Sequence, residues 1–394
     1  MNPAVVVIAY NRPAALRRLL DSLERATYPE GETTPLIISI DRGEEPAASE
    51  VLSRAEAFEW RFGPKQIIRQ PSRLGLVAHF QACGRLSAEH GGVIILEDDL
   101  TVAPPFYSFA VQALAKYEED ERIGGVCLYG LWFNGFTQEP FSPIEDGSDA
   151  FFLKLPYTQG LAFTASQWRA FDEWSQRNKA GPHPGLPSQF LRFEADEWFP
   201  ELAYYLVARR KLFCFPRVSL TAGWGDAGAH FAGGTSWFQT PLQAGDRRFQ
   251  LPELDDAVAV YDAFYEIEPG KLRRLATHLP PHGFDVDLNA TKRPANLHRD
   301  YVLTTRLVRQ AVATFGLEMY PPEANVAQAV AGSQISLALR EDVNWDLWAG
   351  VEARRRLHAH AWSRNRPSRR RSALFAAAEV VQTARRWWSQ RTAK

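Results

Sequence analysis

The chain has 394 residues, of which 45% are apolar and 23% charged, and its formal net charge is −1. This composition is typical of a soluble globular protein and excludes a long low-complexity chain. No segment approaches the roughly 18 to 20 consecutive apolar residues of a transmembrane helix, and the first residues lack the basic and apolar regions of a secretory signal.

The three cysteines, Cys83, Cys127 and Cys214, are odd in number and far apart, with no CxxC spacing. This pattern argues against structural zinc and indicates a reducing compartment. We therefore expect a cytoplasmic protein.

Charge is distributed unevenly along the chain. Residues 351–394 contain 11 Arg and 1 Lys against 2 Glu, a net charge of +10, which leaves −11 for the rest. A nucleic-acid-binding domain would carry its basic residues across a folded face, so an acidic body with a basic tail predicts no nucleic-acid partner. It suits an enzyme with a separate electrostatic anchor.

The first hundred residues alternate between strand and helix patterns. Strands are predicted near residues 5–9, 36–40, 66–69 and 93–96, and helices near residues 14–26, 47–59 and 75–88. The strand starts recur about every thirty residues, the size of a βαβ unit. The pattern predicts a doubly wound, Rossmann-like α/β sheet. Asn11 is a candidate cap for the first helix.

The remainder of the chain is less regular. Further strands are predicted near 125–129, 151–154 and 212–215, and helices near 105–119, 166–176, 197–210, 254–266 and 299–315. Residues 131–149 are rich in Gly, Pro and aromatics, which indicates a loop over a site. The last two helices predict a helical C-terminal extension.

The strongest chemical signal is the acidic motif Glu97-Asp98-Asp99, which directly follows the fourth predicted strand. Ligands bind at this edge of an open α/β sheet. Adjacent like charges repel, and a bound divalent cation relieves the repulsion; ligands that are all oxygen favour Mg²⁺ or Mn²⁺. The alternative is a solvated turn whose acids cap the next helix.

Two other strands of the predicted sheet also end in polar residues. Asn11 and Arg12 follow the first strand, and Asp41 follows the second. Because parallel strands end at one edge, these groups are expected to converge on a base, a ribose and a metal–diphosphate. Taken alone, Asp41 is equally well explained as a turn residue.

Three segments resemble GT-A glycosyltransferases, in the expected order and spacing: Val7-Ile8-Ala9-Tyr10-Asn11-Arg12-Pro13, Ser39-Ile40-Asp41-Arg42-Gly43 and Leu96-Glu97-Asp98-Asp99-Leu100-Thr101-Val102-Ala103-Pro104. The last is similar to the animal N-acetylglucosaminyltransferases that begin complex N-glycans and to bacterial surface-polysaccharide transferases. The resemblance spans about residues 4–235 and implies a GT-A fold with a doubly wound mixed sheet.

The resemblance also implies roles for individual residues of the donor site. Asp41 would contact the nucleobase, Asp98 the ribose or metal, and Asp99 the metal that bridges the diphosphate. Asn11, Arg12 and Glu97 would complete the donor contacts. Arg73 and Gly75 match a donor-side segment of such enzymes, although a helix N-terminus explains them equally well.

A second cluster of acids, Asp196 and Glu197, lies before Trp198. In the family, an acid at the start of this helix is the general base, and Asp196 aligns better than Glu197. An inverting transfer requires such a carboxylate behind the sugar's C1 to accept the proton of the acceptor hydroxyl. The alternative is a pair of acids favoured by the helix dipole.

Residues 219–230 form a glycine-rich segment that ends in His230. It looks like the closing segment of the bacterial family, and His230 is a candidate metal ligand or phosphate donor. A structural histidine is the alternative. Trp132, Phe133 and Trp224 could stack on a sugar, but core packing explains such aromatics more simply.

The basic tail pairs arginines with apolar residues, as in Arg385-Arg386-Trp387-Trp388. That composition suits a helix on an anionic bilayer, and a solvated tail is the alternative. The predicted division is a GT-A domain over 1–240, an extension over 241–350 that shapes the acceptor site, and the tail over 351–394.

The sequence thus predicts a metal-dependent, inverting glycosyltransferase. It would use Mn²⁺ or Mg²⁺, a nucleotide-diphospho-sugar donor and a glycan or lipid-linked acceptor, peripheral to the inner face of the membrane. A sugar nucleotidyltransferase is the first alternative, but it would need a Gly-rich loop where Asn11-Arg12-Pro13 stands. A non-catalytic nucleotide-sugar-binding protein is the second.

Overall fold

A computed structural model of the chain describes residues 2–193, 197–226 and 238–362. Its strands, in chain order, are β1 Ala4–Ala9, β2 Leu36–Ile40, β3 Lys65–Arg69, β4 Gly92–Glu97, β5 Leu100–Val102, β6 Ile123–Cys127, β7 Ala150–Leu153, β8 Leu161–Thr164, β9 Leu212–Pro216, β10 Thr221–Gly223, β11 Val260–Tyr261, β12 Phe284–Asp287, β13 Tyr301–Thr304, β14 Ala313–Phe315 and β15 Ile335–Leu339.

The helices lie between these strands and after the last of them. They are α1 Pro13–Glu24, α2 Ala47–Ala57, α3 Leu76–Arg85, α4 Ser87–His90, α5 Phe106–Lys116, α6 Ala165–Ser175, α7 Phe199–Ala208, α8 Pro269–Leu275, α9 Pro322–Ala327 and α10 Leu347–Ala361. None of the helices in the described ranges is both long and apolar enough to cross a membrane.

Nine strands form one mixed sheet in the order β11-β7-β9-β6-β8-β4-β1-β2-β3. Alternate residues of β1 enter two separate apolar clusters: Val6 belongs to the cluster on one face and Val7 to the cluster on the other. The sheet is therefore covered on both faces, which is why β1 is apolar throughout. The predicted doubly wound α/β fold is confirmed.

Helix α1 buries Leu16, Leu19, Leu20 and Leu23, the face that the periodicity predicts. The predicted cap at Asn11 is wrong. The cap residue is Arg12, which makes no capping hydrogen bond because a guanidinium has no acceptor atom; its N–H groups donate to the acidic motif instead.

The region beyond residue 240 differs from the prediction. The helix expected over 254–266 is absent: the Asp262 carboxylate accepts from the backbone N–H of Phe264 and Glu266 and forms a turn, and β11 pairs with β7. Such side-chain bonds offer the backbone an alternative to the helix. The helix expected over 299–315 is replaced by β13 and β14, which join β12 and β15 in a four-stranded sheet. The helical end of this region is α10.

The C-terminal region shares its core with the main sheet. The apolar cluster that contains Val6 also contains Phe284, Leu303 and Leu337 of the four-stranded sheet. A polar bond reinforces the contact: the Tyr261 hydroxyl on β11 donates to the Glu323 carboxylate at 2.6 Å.

We expect the stability of the fold to depend on pH through Glu323. Burial raises the pKa of Glu323 from 4.5 to about 7, so the folded state favours its protonated form. The resulting contribution to folding stability is complete below the pKa of Glu323 in the unfolded chain, about 4.5, and is lost as pH rises through about 7. Relative to Glu323→Gln, the wild type should lose about 3 kcal/mol of unfolding free energy between about pH 5 and pH 8.

Urea denaturation at a series of pH values measures this difference. The exposed variant Glu118→Gln is the control and should follow the wild type. Parallel pH profiles for Glu323→Gln and the wild type would contradict the assignment.

Candidate active site

Six strands of the main sheet run in the same direction. β1, β2, β3 and β4 pair in parallel, β4 and β6 are both antiparallel to β8, and β9 is parallel to β6. The segments that follow these strands therefore meet at one edge, where ligands bind in open α/β sheets.

The acidic motif lies at this edge and is paired with Arg12. The Arg12 guanidinium donates to Asp99 at 2.8 Å from Nη1 to Oδ2, and through Nη2 it also bonds to Asp98. Asp98 is 2% exposed, whereas the side chain of Asp99 is 28% exposed. The structure thus brings Arg12, Asp98 and Asp99 together, with Asp99 the more accessible carboxylate.

Burial changes the acidity of the motif. It raises the pKa of Glu97 to about 8, and the Asp99 charge acts in the same direction. It raises the pKa of Asp98 to about 6, although Arg12 opposes the shift. Burial together with mutual repulsion therefore outweighs the effect of the single guanidinium, and a further cation would stabilise the ionised forms.

The Trp198 side chain lies beside the Glu97 carboxylate and acts to lower its pKa. Its ring also stacks on Phe80, with ring centroids 4.0 Å apart. Trp198, which directly follows the second predicted cluster, thus lies next to the acidic motif. Glu197 lies immediately before Trp198 and precedes α7, which begins at Phe199. Asp196, the preferred base, lies outside the described residues.

Asp41 is 5% exposed, and its carboxylate accepts three backbone N–H groups. They belong to Arg42, to Leu74 at 2.8 Å and to Gly75 at 3.0 Å. Gly75 has a φ of 76°, which favours glycine, and α3 begins directly after it. Asp41 therefore fixes the segment that the sequence assigns to the donor side.

The other predicted donor residues lie around this segment. The Arg73 guanidinium lies 5.2 Å above the Tyr10 ring, at the end of β1. Asn11, which follows Tyr10 in the sequence, is exposed. The buried His79 on α3 forms a hydrogen bond with the Ser39 hydroxyl at 2.7 Å. Burial lowers the pKa of His79, which fits a neutral structural histidine.

The glycine-rich segment packs against the acidic motif. β10 pairs antiparallel with β5, and the backbone N–H of Trp224 donates to the backbone carbonyl of Asp99 at 3.1 Å. Arg18 of α1 bonds to Asp226 and lies 4.9 Å from the Trp224 ring. His230 lies outside the described residues.

Two of the three aromatic side chains considered as sugar platforms are accessible. Trp224 is 48% exposed and Trp132 is 38% exposed, so core packing is the wrong explanation for them. Phe133 is buried among other aromatic side chains, as expected of a core residue. Both tryptophans follow strands that end at the ligand edge.

Sequence reasoning missed Gln159, which precedes β8. Its Oε1 atom is buried and has no hydrogen-bond partner among the described residues. An added Cβ on Gly223 would lie 2.7 Å from that atom, so a side chain there would displace Gln159. No pattern predicted the four-residue strand β8, and the sequence therefore gave no reason to place Gln159 at this edge.

The residues present are compatible with Mg²⁺ or Mn²⁺. In the described part of the chain, no three His, Cys, Asp or Glu side chains converge into a metal cage. Mg²⁺ does not need one, because it usually binds one or two carboxylates together with substrate phosphates and water. The partly exposed carboxylate of Asp99 meets that requirement.

A cleft lies elsewhere, between residues 137–142, Tyr265 and α10. None of its lining residues belongs to the acidic motif. Its polar groups have partners within the protein: Glu139 bonds to His358, Glu323 to Tyr261, and Arg354 to the Ala290 carbonyl. The strand ends, and not this cleft, are therefore the candidate active site.

Residues 1–139 match the model of the GNT-I family. This match confirms the predicted resemblance to GT-A glycosyltransferases. The enzyme class, a glycosyltransferase, is supported on the same ground. The matched part contains Arg12, Asp41 and the acidic motif but not residues 194–237. No curated protein matches the chain.

Solved glycosyltransferase structures are similar over part of the fold. The mannosyltransferase PcManGT from Pyrobaculum calidifontis, in complex with GDP-Man and Mn²⁺, is 14% identical, with a TM-score of 0.31 over 44% of this chain and 46% of that one. GalNAc-T7 with UDP, GalNAc and Mn²⁺ is 16% identical, with a TM-score of 0.39 over 56% and 43%. S. aureus TarS is 12% identical, with a TM-score of 0.35 over 56% and 36%. The chain thus spans less than half of these proteins, and such similarities carry no functional information.

The bonds of Asp41 predict a structural effect of its removal. Asp41→Ala should lower the melting temperature and open residues 71–75 to proteolysis, because the Leu74 and Gly75 N–H groups lose their acceptor. Each unsatisfied group costs about 1–3 kcal/mol. Asp41→Asn keeps one acceptor oxygen and should lose less.

Thermal denaturation and limited proteolysis measure both effects. Glu44→Ala, an exposed change close to Asp41, is the control and should behave as the wild type. If Asp41→Ala weakened nucleotide binding without lowering the melting temperature, Asp41 would be a ligand residue only.

Proposed function

We propose that the chain is a metal-dependent, inverting glycosyltransferase that uses a nucleotide-diphospho-sugar. The observation that carries the proposal is the acidic motif at the carboxyl end of β4, where Asp99 is accessible beside Arg12 and the backbone N–H of Trp224 donates to the Asp99 carbonyl. Oxygen ligands of this kind favour Mn²⁺ or Mg²⁺.

The donor would lie across the ends of β1, β2 and β4. Asp99 would hold the metal, with His230 as the candidate second ligand, and the metal would offset the charge that develops on the leaving diphosphate. Arg12 keeps Asp98 and Asp99 in place through its two bonds. The segment fixed by Asp41 would place Arg73 and Gly75 beside the nucleotide.

The transfer step requires a base on the acceptor side. Asp196 would accept the proton of the acceptor hydroxyl while the hydroxyl oxygen forms a bond to C1 of the sugar. The C1–O bond to the diphosphate would break at the same time, and its electron pair would leave on the diphosphate. Glu197 is the alternative base. The position of Trp198 beside Glu97 supports either assignment, because Trp198 directly follows these two acids.

The acceptor would be a glycan or a lipid-linked glycan. Residues 241–350, which we treat as an extension of the domain over 1–240, would shape its site. The basic tail would bring the enzyme to an anionic membrane surface, since each basic residue near such a surface contributes about 1 kcal/mol.

Donor binding should require both the metal and Asp99. With Mn²⁺ present, UDP or GDP should raise the melting temperature of the wild type, because a ligand that binds only the folded state stabilises it. EDTA or Asp99→Asn should remove that rise. Asp255→Asn is the control. Asp255 is an exposed acid that pairs with Arg122, and Arg122 directly precedes β6 at the opposite edge of the sheet. This variant should keep the rise in melting temperature. A metal-independent rise would contradict the proposed site.

The base should be separable from donor binding. Asp196→Asn should lower kcat for transfer by roughly 10²–10⁴-fold while leaving the nucleotide-induced rise in melting temperature unchanged. Glu197→Gln is the matched control and should retain most activity. The reverse result would reassign the base to Glu197, and full activity in both variants would exclude this mechanism.

A further inference from the structure

The most exposed large apolar side chains of the described residues stand next to each other at the start of α10. Leu347 is 75% exposed and Trp348 is 77% exposed. Val351, one turn further along the helix, and Leu307 are also exposed. The Leu307 backbone carbonyl accepts the Asn344 N–H at 2.9 Å, which holds Leu307 close to the segment that leads into α10. We call these four residues the α10 patch.

The opposite face of α10 is fixed to the body of the protein. Ala349, Ala353 and Leu357 are buried, and an added Cβ on Gly350 would lie 2.7 Å from Arg306 Nη1. The Arg356 guanidinium also donates to the Thr305 carbonyl at 2.6 Å. The helix therefore cannot rotate to bury its exposed side, and the patch faces outward as part of a rigid surface.

We propose that the α10 patch inserts into the interface of an anionic lipid bilayer. Tryptophan and leucine are the side chains that interfacial helices place at the headgroup boundary. A single apolar patch binds membranes weakly, and stable attachment takes a second signal such as a polybasic segment.

The sequence directly after α10 supplies that second signal. Residues 363–394 carry eight Arg and one Lys against one Glu, a net charge of +8. The charges around the patch itself are balanced, since Arg355 pairs with Glu352 and Arg309 with Asp342. The patch thus contributes apolar contact and the tail contributes attraction to negative headgroups.

A second copy of the chain fits the patch less well. Large side chains expose at most about 250 Å² each, so four partly exposed ones leave less area than the roughly 800 Å² that each partner buries in a stable interface. A bilayer imposes no such minimum area, because the tail binds it independently.

Vesicle cosedimentation of the full chain tests the proposal without any activity measurement, so its outcome is independent of the proposed reaction. The wild type should bind vesicles that contain phosphatidylglycerol and bind pure phosphatidylcholine vesicles weakly. Trp348→Ser should reduce the partition coefficient about tenfold or more. Replacing Arg369, Arg370 and Arg371 by Gln should weaken binding and reduce its dependence on salt.

Leu275→Ser is the matched control, because Leu275 is exposed on α8 and lies outside the patch. It should bind as the wild type does, and unchanged melting temperatures should show that all variants fold. Undiminished binding of Trp348→Ser would overturn the proposal. It would also be overturned if light scattering showed a dimer that Trp348→Ser dissociates, since the patch would then be a protein interface.

Discussion

Three consecutive carboxylates end a buried strand of this protein, and their repulsion is the constraint around which the site is arranged. Arg12, at the end of the neighbouring strand β1, bonds to two of them. Burial, with repulsion from Asp99, nevertheless raises the pKa of Glu97 and of Asp98 against the effect of Arg12. A divalent cation bound with a diphosphate would stabilise the ionised forms.

The strand order makes this arrangement possible. Because β1, β2 and β4 are parallel neighbours, Arg12, Asp41 and the acidic motif meet although they are far apart in sequence. Two later segments lie against them: the Trp198 side chain lies beside Glu97, and the backbone N–H of Trp224 donates to the Asp99 carbonyl.

The sequence predicts the first half of this structure well, since each βαβ unit there is local and its strands are continuous apolar runs. It does not predict β8 or the C-terminal sheet. Those strands are three to five residues long, and distant partners determine their pairing. At the site, the acidic motif is recognisable from its position after a strand. The backbone contacts of Asp41 and the place of Gln159 depend on tertiary structure, which no local pattern encodes.

The central claim is that a cation held at Asp99 binds the diphosphate of the donor. Anomalous diffraction at the manganese edge, from crystals grown with UDP and Mn²⁺, tests it directly. We expect one peak in direct coordination with an Asp99 oxygen and with both phosphates of the nucleotide. A nucleotide bound at the strand ends with no such peak, or a peak remote from the acidic motif, would contradict the account.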